Sequence, residues 1–247
     1  MLNTALRLRH ALHTGGCLIY LDLKNTHHLA GDANDLEDPK PVARALLLFL
    51  LQCATQNSIT RQDLILGEYG KPALPAHFNL AFNLSHTSRG IVIALTRRGE
   101  IGVDIEDTVI GMRRGMDIAR RFFTAAEFSY LRQLAPAQAG EMLQLLWTLK
   151  ESYIKATGRG LSVPLNSFEF HFSSEDRLTF YNHKAVASDT PCFFTSWQPQ
   201  LQQHVSLCLT QRQPVRVFQA IRINKDDFII STAQLNMIRK SSLYDIS

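Results

Sequence analysis

Apolar and polar positions along the chain follow two alternating patterns, which predict a mixed fold of helices and strands. A continuous apolar run from Cys17 to Leu23 is typical of a buried strand. After a polar stretch, Pro39 and Pro41 open a predicted helix, 42–54, whose leucines lie nearly all around it. The first part of the chain therefore predicts a buried strand followed by a helix.

The remaining elements fall into two blocks. The predicted strands are 78–85, 91–96 and 101–106, followed after the helices by 168–172, 178–181, 192–197, 205–209 and 215–223. A predicted helix, 116–134, breaks near Thr124, where Thr124-x-x-Glu127 has the form of a capping box. Another helix, 141–157, ends at Gly158. The last 20 or so residues carry no clear pattern.

The order of these elements predicts an α+β fold with short antiparallel strands. Each half of the chain combines helices with a meander of strands, and each half has about the size of an ordinary small domain. We therefore expect two similar lobes, 1–108 and 109–247, each with a small antiparallel sheet packed on helices.

Composition and charge exclude several classes of protein. The chain has 247 residues, 45% of them hydrophobic, which is too apolar for a disordered protein. Its 26 Lys and Arg against 22 Asp and Glu give a net charge of +4, which fits an anionic ligand or acidic partner but does not by itself imply nucleic acid. The four cysteines have no zinc-ligand spacing, and we expect them to be reduced: Cys17, Cys53, Cys192 and Cys208.

No segment predicts export or insertion into a membrane. Arg7, Arg9 and His10 interrupt the first residues before an apolar signal region can form. The most apolar run, 45–51, has seven residues, whereas a membrane span needs about 20. We therefore expect a soluble cytoplasmic protein.

The stretch Ile101-Gly-Val-Asp-Ile-Glu106 places two carboxylates on one face of a strand. Because side chains alternate along a strand, the three apolar residues face the core. Asp104 and Glu106 then lie side by side, about 6.5–7 Å apart, and Gly102 leaves space beside them. Two such carboxylates repel each other, and a bound divalent cation usually relieves this repulsion. The alternative is a solvated face on an edge strand, which is the more common context of an isolated D-x-E sequence.

The predicted helix 141–157 has two distinct faces. One is an apolar stripe formed by Met142, Leu146, Leu149, Tyr153 and Ala156. On the opposite face Trp147, Glu151 and Lys155 follow one another at intervals of four residues. A tryptophan on this face favours a functional site. The alternative is a surface Glu–Lys pair worth ~0.3 kcal/mol.

Several hydrogen-bonding groups gather where the predicted strand 78–85 ends. The stretch Phe82-Asn-Leu-Ser-His-Thr87 follows Gly70-Lys-Pro72, and both Lys71 and His86 are candidates for contacting a phosphate. Ser85 and His86 are neighbours on a strand and point to opposite faces, which disfavours a nucleophilic Ser–His pair. A purely structural role is the alternative for His86.

Together and in this order, five motifs closely resemble those of the 4′-phosphopantetheinyl transferases, in particular the larger, monomeric Sfp-type branch. They are Gly-Lys-Pro72, Phe-Asn-x-Ser-His-Thr87, Ile-Gly-Val-Asp-Ile-Glu106, Arg-Phe-Phe-x-x-x-Glu127 and Trp-x-x-Lys-Glu-x-x-x-Lys155. The resemblance is dense from Lys71 to Leu165 and thin before residue 40 and after about residue 175. It implies a pseudo-twofold fold of two fused halves with one active site between them, working as a monomer.

The resemblance also implies the residues of that site. Asp104, Glu106 and Glu151 match the family's Mg²⁺ ligands, and Lys155 matches a residue that contacts phosphate. Either Glu151 or Glu127, directly or through a metal-bound water, could take the proton of the attacking serine. The residues that match contacts to coenzyme A are Arg44, Lys71, Pro72, Ser85, His86 and Lys155, with Lys40 as an alternative to Arg44.

The implied reaction moves the 4′-phosphopantetheine arm of coenzyme A to a serine of an apo acyl, polyketide or peptidyl carrier protein, releasing adenosine 3′,5′-bisphosphate. Carrier proteins of this kind are acidic. A basic run follows the D-x-E strand, and with Phe122 and Phe123 it is a candidate docking face: Arg113, Arg114, Arg120 and Arg121. An ordinary solvated helix face is the alternative.

Two other classes of function remain open. A Mg²⁺-dependent nuclease would use similar groups, but such enzymes often place the lysine close after the carboxylates, whereas here Glu106-Asp-Thr108 lacks it. A non-catalytic module that only binds coenzyme A or a carrier is the second. Three carboxylates together with Lys155 argue against it, because a pure binder needs no third metal ligand.

Overall fold

Two β-sheets lie face to face, and each carries helices on its outer surface. This arrangement is seen in a computed structural model that describes residues 2–23, 38–107, 112–173, 177–183, 190–223, 227–233 and 236–241. The first sheet has the strand order β12-β11-β1-β5-β4, and the second has the order β6-β10-β9-β13-β8-β7. A short hairpin of β2 and β3 is separate from both.

The described helices are α1 (Leu2–Thr14), α2 (Pro39–Thr55), α3 (Met112–Phe122), α4 (Ala125–Gln133) and α5 (Pro136–Thr157). The described strands are β1 (Gly16–Asp22), β2 (Ile65–Leu66), β3 (Pro72–Ala73), β4 (Ala81–His86), β5 (Gly90–Thr96), β6 (Ile101–Asp107), β7 (Phe168–Phe172), β8 (Arg177–Asn182), β9 (Phe193–Gln198), β10 (Gln203–Leu209), β11 (Val215–Arg222), β12 (Phe228–Thr232) and β13 (Asn236–Ser241). Most neighbouring strands are antiparallel, and β1–β11 and β8–β13 are parallel. The predicted α+β class is confirmed.

Three clusters of buried apolar side chains fill the spaces between the layers. The first lies between α1, α2 and the first sheet, and includes Leu46 and Ile93. The second lies between the two sheets, and includes Val92 and Val103. The third lies between the second sheet and the helices α3 to α5, and includes Leu149. The all-round leucines of α2 and the apolar stripe of α5 are both accounted for by this burial.

Local signals in the sequence mark the ends of the helices. Asp38 caps α2, with its carboxylate accepting from the backbone amide of Lys40 at 3.0 Å. Thr124 and Glu127 form the predicted capping box at the start of α4. Gly158 ends α5 with a φ of 67°, a conformation that glycine adopts without strain.

The strands do not divide between the two sheets at the predicted lobe boundary. Residue 108 itself lies outside the described residues, but β6, which precedes it, pairs with β10 in the second sheet. Conversely, β11 returns to the first sheet, where it pairs in parallel with β1. Each sheet therefore contains strands from both predicted lobes, 1–108 and 109–247. Such pairings between distant segments leave no local trace in the sequence.

Five described elements were not expected from the sequence: α1, β2, β3, β12 and β13. Within the described parts of the chain, no helix is long and apolar enough to cross a bilayer. The four cysteines are free thiols, as expected.

Gly102 allows β6 and α5 to approach each other closely. A Cβ atom at this position would collide with the carbonyl oxygen of Ser152 and the amide nitrogen of Ala156, and would lie 2.8 Å from the Cα atom of Ala156. These are backbone atoms of a helix and cannot rotate away. Any side chain here would push α5, which carries Glu151, away from β6, which carries Asp104.

We expect Gly102→Ala to lower the free energy of unfolding by about 3 kcal/mol, the upper end of the range for overpacking a core. Chemical denaturation measures this loss. Gly67→Ala is the matched control, because its new Cβ would meet only the carbonyl oxygen of Lys71 at an ordinary 3.4 Å. A loss for Gly102→Ala no larger than for the control would contradict the close approach of β6 and α5.

Candidate active site

Strands β4 and β6 and helix α5 meet at one edge of the molecule. The strand β4 belongs to the first sheet and β6 to the second, and side chains join them: Asn83 Oδ1 accepts from the backbone amide of Val103 at 2.9 Å. As predicted from the alternation of side chains, Val103 lies in the core between the sheets. The face of β6 that carries Asp104 is turned toward α5, as the approach of Gly102 to that helix requires.

At the centre of this edge Asp104 is bound to a serine and a lysine. Asp104 Oδ1 accepts from Ser85 Oγ at 2.8 Å and from Lys155 Nζ at 2.5 Å. Lys155 Nζ also donates to Ser85 Oγ at 3.0 Å, which closes a three-membered cluster. Asp104 is only 3% exposed, and its second oxygen, Oδ2, is buried with no hydrogen-bond partner among the described residues. An orphaned carboxylate oxygen of this kind calls for a ligand.

Two further carboxylates face this cluster. Glu106 Oε1 accepts from Trp147 Nε1 at 3.2 Å. Burial raises the pKa of Glu106 to about 7, and the charge of Asp104 adds to the rise. Burial raises the pKa of Glu151 to about 6, again with a contribution from Asp104. Burial also raises the pKa of Asp104, although Lys155 opposes the rise. The three carboxylates that were predicted as metal ligands therefore lie within electrostatic range of one another.

The donor set fits a hard divalent cation that arrives with its substrate. No three His, Cys, Asp or Glu side chains in the described part of the chain close around one point as a preformed metal cage. Mg²⁺ does not require such a cage, because it keeps several waters and binds one or two carboxylates together with substrate phosphates. The all-oxygen donors, the orphaned Oδ2 of Asp104 and the mutual repulsion of the carboxylates match that requirement.

His86 faces away from Ser85, as predicted, toward the start of α2. In the pairing of β4 with β5, His86 lies opposite Ile91 of the outer core, whereas Ser85 lies opposite Val92 of the core between the sheets. Burial lowers the pKa of His86, and the charge of Lys40 lowers it further. On this side of β4 the charges of Lys40 and Lys155 act on His86, and the carboxylate of Asp38 opposes them.

Helix α2 carries positive charge on this side of β4. Lys40 and Arg44 are both exposed and lie one turn apart near its first residues. The start of a helix presents unpaired amide groups and the positive end of its dipole, which suits phosphate. The predicted phosphate-contacting residues His86, Arg44 and Lys155, and the alternative Lys40, thus border one region.

Lys71 is directed elsewhere. Its Nζ donates to Glu100 Oε2 at 2.8 Å, to the carbonyl oxygen of Ala156 at 3.0 Å and to that of Ile101 at 3.2 Å. These bonds use all three hydrogens of the ammonium group and tie β6 to the last turn of α5. Pro72 lies in β3, where it pairs with Leu66. The predicted contact of Lys71 with a nucleotide is therefore not favoured by its bonding.

Glu127 lies in a buried ion pair, which does not favour the predicted role as a base that acts directly on the substrate. It is 2% exposed, and its Oε2 forms an ion pair with Lys150 Nζ at 2.9 Å and accepts from the backbone amide of Thr124 at 3.0 Å. Its Oε1 accepts from the amide of Phe170 at 3.0 Å. Both oxygens are thus occupied inside the third core, and a substrate hydroxyl has no access to them.

Lys150 is a residue that the sequence analysis missed. Its side chain is fully buried, donates to the carbonyl oxygens of Leu165 at 2.7 Å and Phe168 at 2.8 Å, and lies over the Phe168 ring with Nζ 4.5 Å from the centroid. The helical spacing could have indicated that Lys150 is buried. Position 150 falls four residues after Leu146 and three before Tyr153, on the apolar stripe of α5.

The basic run lies on α3. All four of its arginines are exposed: Arg113, Arg114, Arg120 and Arg121. Phe122 is also 42% exposed, with the guanidinium of Arg121 5.3 Å from its ring centroid. Phe123, by contrast, is buried and stacks on Trp147 with centroids 6.4 Å apart. Phe123 is therefore a core residue and does not belong to a docking face.

A mostly apolar cleft of about 410 Å³ opens beside Glu106. Ile118 of α3 and Leu143 and Trp147 of α5 contribute to its walls. The cleft connects the carboxylates with the helix that carries the exposed arginines. A cleft of this kind can accommodate an apolar group of a ligand.

Residues 100–208 match the model of the 4′-phosphopantetheinyl transferase superfamily. A 4′-phosphopantetheinyl transferase of Bacillus subtilis is 36% identical over 141 residues, which are 57% of this chain and 60% of that protein. The transferase Sfp of Bacillus subtilis strain 168 is 32% identical, again over 57% of this chain and 60% of that protein. The transferase gsp of Aneurinibacillus migulanus is 35% identical over 51% of this chain and 48% of its own length. The chain thus spans about three fifths of the length of the two Bacillus relatives and about half of the Aneurinibacillus relative.

Among solved structures, the holo-[acyl-carrier-protein] synthase of Thermotoga maritima aligns with a TM-score of 0.38 and 16% identity, over 57% of this chain and 94% of that chain. The likeness to this family therefore comes from the sequence comparisons. The matched segment contains β6 and α5, and with them Asp104, Glu106, Glu151 and Lys155. Through its residues 100–208, the chain is similar to the 4′-phosphopantetheinyl transferase superfamily.

Proposed function

We propose that this protein transfers the 4′-phosphopantetheine group of coenzyme A to a serine of an apo carrier protein, in a reaction that depends on Mg²⁺. The observation that carries the proposal is the cluster of Asp104, Glu106, Glu151 and Lys155, which lies within the segment that matches the superfamily. The cluster combines oxygen ligands for a cation with a positive charge for a phosphate, which is what cleavage of a diphosphate requires.

The chain's own residues have distinct tasks in this reaction. The serine oxygen of the carrier attacks the β-phosphorus of coenzyme A, the bond from this phosphorus to the bridging oxygen breaks, and adenosine 3′,5′-bisphosphate leaves. Lys155 stabilises the negative charge that develops on the phosphoryl oxygens. Glu151 takes the serine proton, since it lies within electrostatic range of Asp104 and Lys155 and its carboxylate has no hydrogen bond to the described residues.

Asp104, Glu106 and Glu151 would hold the magnesium ion. When bound, Mg²⁺ would neutralise the diphosphate and favour departure of the adenosine bisphosphate. Asp104 would offer its Oδ2, the oxygen that has no hydrogen-bond partner among the described residues. His86, Arg44 and Lys40 would bind the remaining phosphate of coenzyme A at the start of α2. The apolar cleft beside Glu106 would take the methyl-bearing first part of the pantetheine arm.

Metal affinity is expected to rise with pH, because protons compete with the cation for these carboxylates. Glu106 has a pKa of about 7 and Glu151 of about 6, so both are partly protonated in mildly acidic solution. Raising the pH from 5.5 to 8 should strengthen Mn²⁺ binding by about tenfold or more, as expected from the competing protonation of two groups. Isothermal titration at several pH values measures this change, and a flat profile would contradict the raised pKa values.

The arginines of α3 would dock the acidic carrier protein. Replacing both Arg120 and Arg121 by Glu should raise KM for the carrier by about tenfold or more at low salt, since charge reversal turns attraction into repulsion. The KM for coenzyme A should stay the same. Arg132→Glu, on α4, is the control for a change of net charge at another surface. Equal KM values for the carrier in both variants would exclude this docking face.

The proposal is tested by mass spectrometry of apo carrier proteins incubated with this protein, coenzyme A and Mg²⁺. The panel contains fatty-acid, polyketide and peptidyl carriers. A mass gain equal to one phosphopantetheine on a carrier supports the proposal and shows which class is preferred. No gain with coenzyme A still bound would favour a binding module, and cleavage of nucleic acid without use of coenzyme A would favour a nuclease.

A further inference from the structure

We propose that Gln203 is a positioning residue that, together with Tyr20, fixes the end of β6 and so holds the Glu106 carboxylate in place for a divalent cation. The inference rests on the proposed function, in which Glu106 is a metal ligand, and refines it. Neither Gln203 nor Tyr20 belongs to any of the five motifs, so no role in the site was expected of them.

Glu106 lies where β6 has the least support. This strand forms one edge of the second sheet, where β10 is its neighbour. The last pairing of the two strands joins Asp107, the final residue of β6, to Gln203, the first residue of β10. Strand ends fray unless further contacts hold them, and fraying here would release Glu106, which lies one residue before the end.

Two side-chain hydrogen bonds tie this end of β6 to the first sheet. Tyr20 Oη, on β1, donates to Gln203 Oε1 at 2.8 Å, and Gln203 Nε2 donates to Asp107 Oδ1 at 2.8 Å. A carboxylate only accepts, so the glutamine must turn its amide nitrogen to Asp107 and its carbonyl oxygen to the tyrosine hydroxyl. Gln203 is fully buried and Tyr20 is 3% exposed, which makes an unpaired polar atom here costly.

The backbone of β5 keeps these two side chains in one arrangement. A Cβ atom on Gly90, the first residue of β5, would lie 2.9 Å from Cε2 of Tyr20 and 3.2 Å from Nε2 of Gln203. The glycine therefore lets both side chains lie directly against this strand. In such dense packing the amide group of Gln203 has little room to leave its position.

Glu106 is thereby held from two sides. On the side of α5, Gln144 Nε2 donates to the carbonyl oxygen of Glu106 at 2.8 Å, and Trp147 Nε1 donates to its Oε1 at 3.2 Å. On the side of the sheets, the bond from Gln203 to Asp107 fixes the next residue. A carboxylate that binds a cation must be oriented by the groups around it, and the anchor in the first sheet completes this support.

The test measures Mn²⁺ binding to the metal-free protein by electron paramagnetic resonance, without coenzyme A. Tyr20→Phe removes one oxygen and leaves Gln203 Oε1 without its donor. It should raise the Kd for Mn²⁺ by about tenfold, the lower end of the range for losing an outer hydrogen bond at a metal site. Thr96→Val is the matched control, because Thr96 donates to Gln213 Oε1 at 2.9 Å at the opposite end of β5. Its Kd should stay within about twofold of the wild type.

Two substitutions of Asp107 separate the hydrogen bond from the charge. Asp107→Asn and Asp107→Ala both remove the negative charge, but only asparagine keeps an oxygen that accepts from Gln203. Asp107→Ala should therefore weaken Mn²⁺ binding by about tenfold more than Asp107→Asn does. Equal Kd values for the two variants would mean that Asp107 acts through its charge alone, and the proposal would fall.

Thermal unfolding shows which variants are folded. An unchanged Kd in a folded Tyr20→Phe protein, or an equal rise in Thr96→Val, would show that these hydrogen bonds only stabilise the fold and would overturn the proposal. If Tyr20→Phe does not fold, the two variants at the half-buried Asp107 decide the question in the same way. If the Kd values change as expected but the wild type modifies no carrier, the positioning of Glu106 stands and the transferase function falls.

Discussion

Glu151→Gln is expected to lower kcat for transfer of phosphopantetheine by about 10²–10⁴-fold, the range that a general base contributes. Glutamine keeps the shape of the side chain but can neither take a proton nor offer a charged ligand. Because Glu151 is partly buried on α5 beside Asp104, removing its charge should relieve repulsion and leave the fold intact or slightly more stable. A steady-state assay with a carrier that the wild type modifies measures kcat, and thermal unfolding checks the fold.

Glu141→Gln is the matched control for this prediction. It is the same substitution on the same helix, at an exposed position ten residues earlier. Its kcat should lie within about twofold of the wild type, as for most surface substitutions. If Glu151→Gln keeps more than a tenth of the wild-type kcat, another group accepts the serine proton and the assignment of Glu151 is wrong.

The chemistry of β6 and α5 could be predicted from the sequence because it depends on local periodicity. A period of two places Asp104 on the opposite face of its strand from Val103, and a period of 3.6 places Lys155 beside Glu151. Both relations hold in the structure, where Val103 lies between the sheets and Lys155 lies within electrostatic range of Glu151. Only the packing of the strand against the helix is non-local. It was inferred from the family resemblance, which rests on the order of the motifs.

The sequence says least about residues whose contacts come from distant segments. Lys71 lies in the Gly-Lys-Pro72 motif, but its ammonium group donates to three acceptors. Two of these are backbone carbonyl oxygens, one on β6 and one on α5. Glu127 was recognised as a capping residue from Thr124, yet its partner Lys150 lies on another helix. The position of β11 in its sheet depends on pairing with β1, about 200 residues earlier, and β12 in turn pairs with β11. Local patterns contain no information about such pairings.

The buried ion pair of Glu127 and Lys150 leads to the largest expected change in stability. Lys150→Met should lower the free energy of unfolding by about 3–5 kcal/mol, because it leaves the Glu127 carboxylate buried without its cation. Methionine has nearly the same length and fits among Phe123, Phe168 and Phe170, so lost volume contributes little. For a chain of this size, the expected fall in Tm is about 6–20 °C. Denaturant unfolding and calorimetry measure both quantities.

The double variant Glu127→Gln/Lys150→Met distinguishes a structural ion pair from a catalytic one. With both charges removed, the loss of stability should be clearly smaller than the sum of the two single losses, since neither charge is left unpaired in the core. At a temperature where the double variant is folded, its kcat should stay within about threefold of the wild type, because Glu127 and Lys150 are enclosed in the third core and contact no group of the Asp104 cluster. A base at position 127 would instead cost about 10²-fold or more in kcat whatever the stability. Strictly additive losses of stability, or a loss of kcat of that size in a folded double variant, would show that the structural assignment of this pair is mistaken.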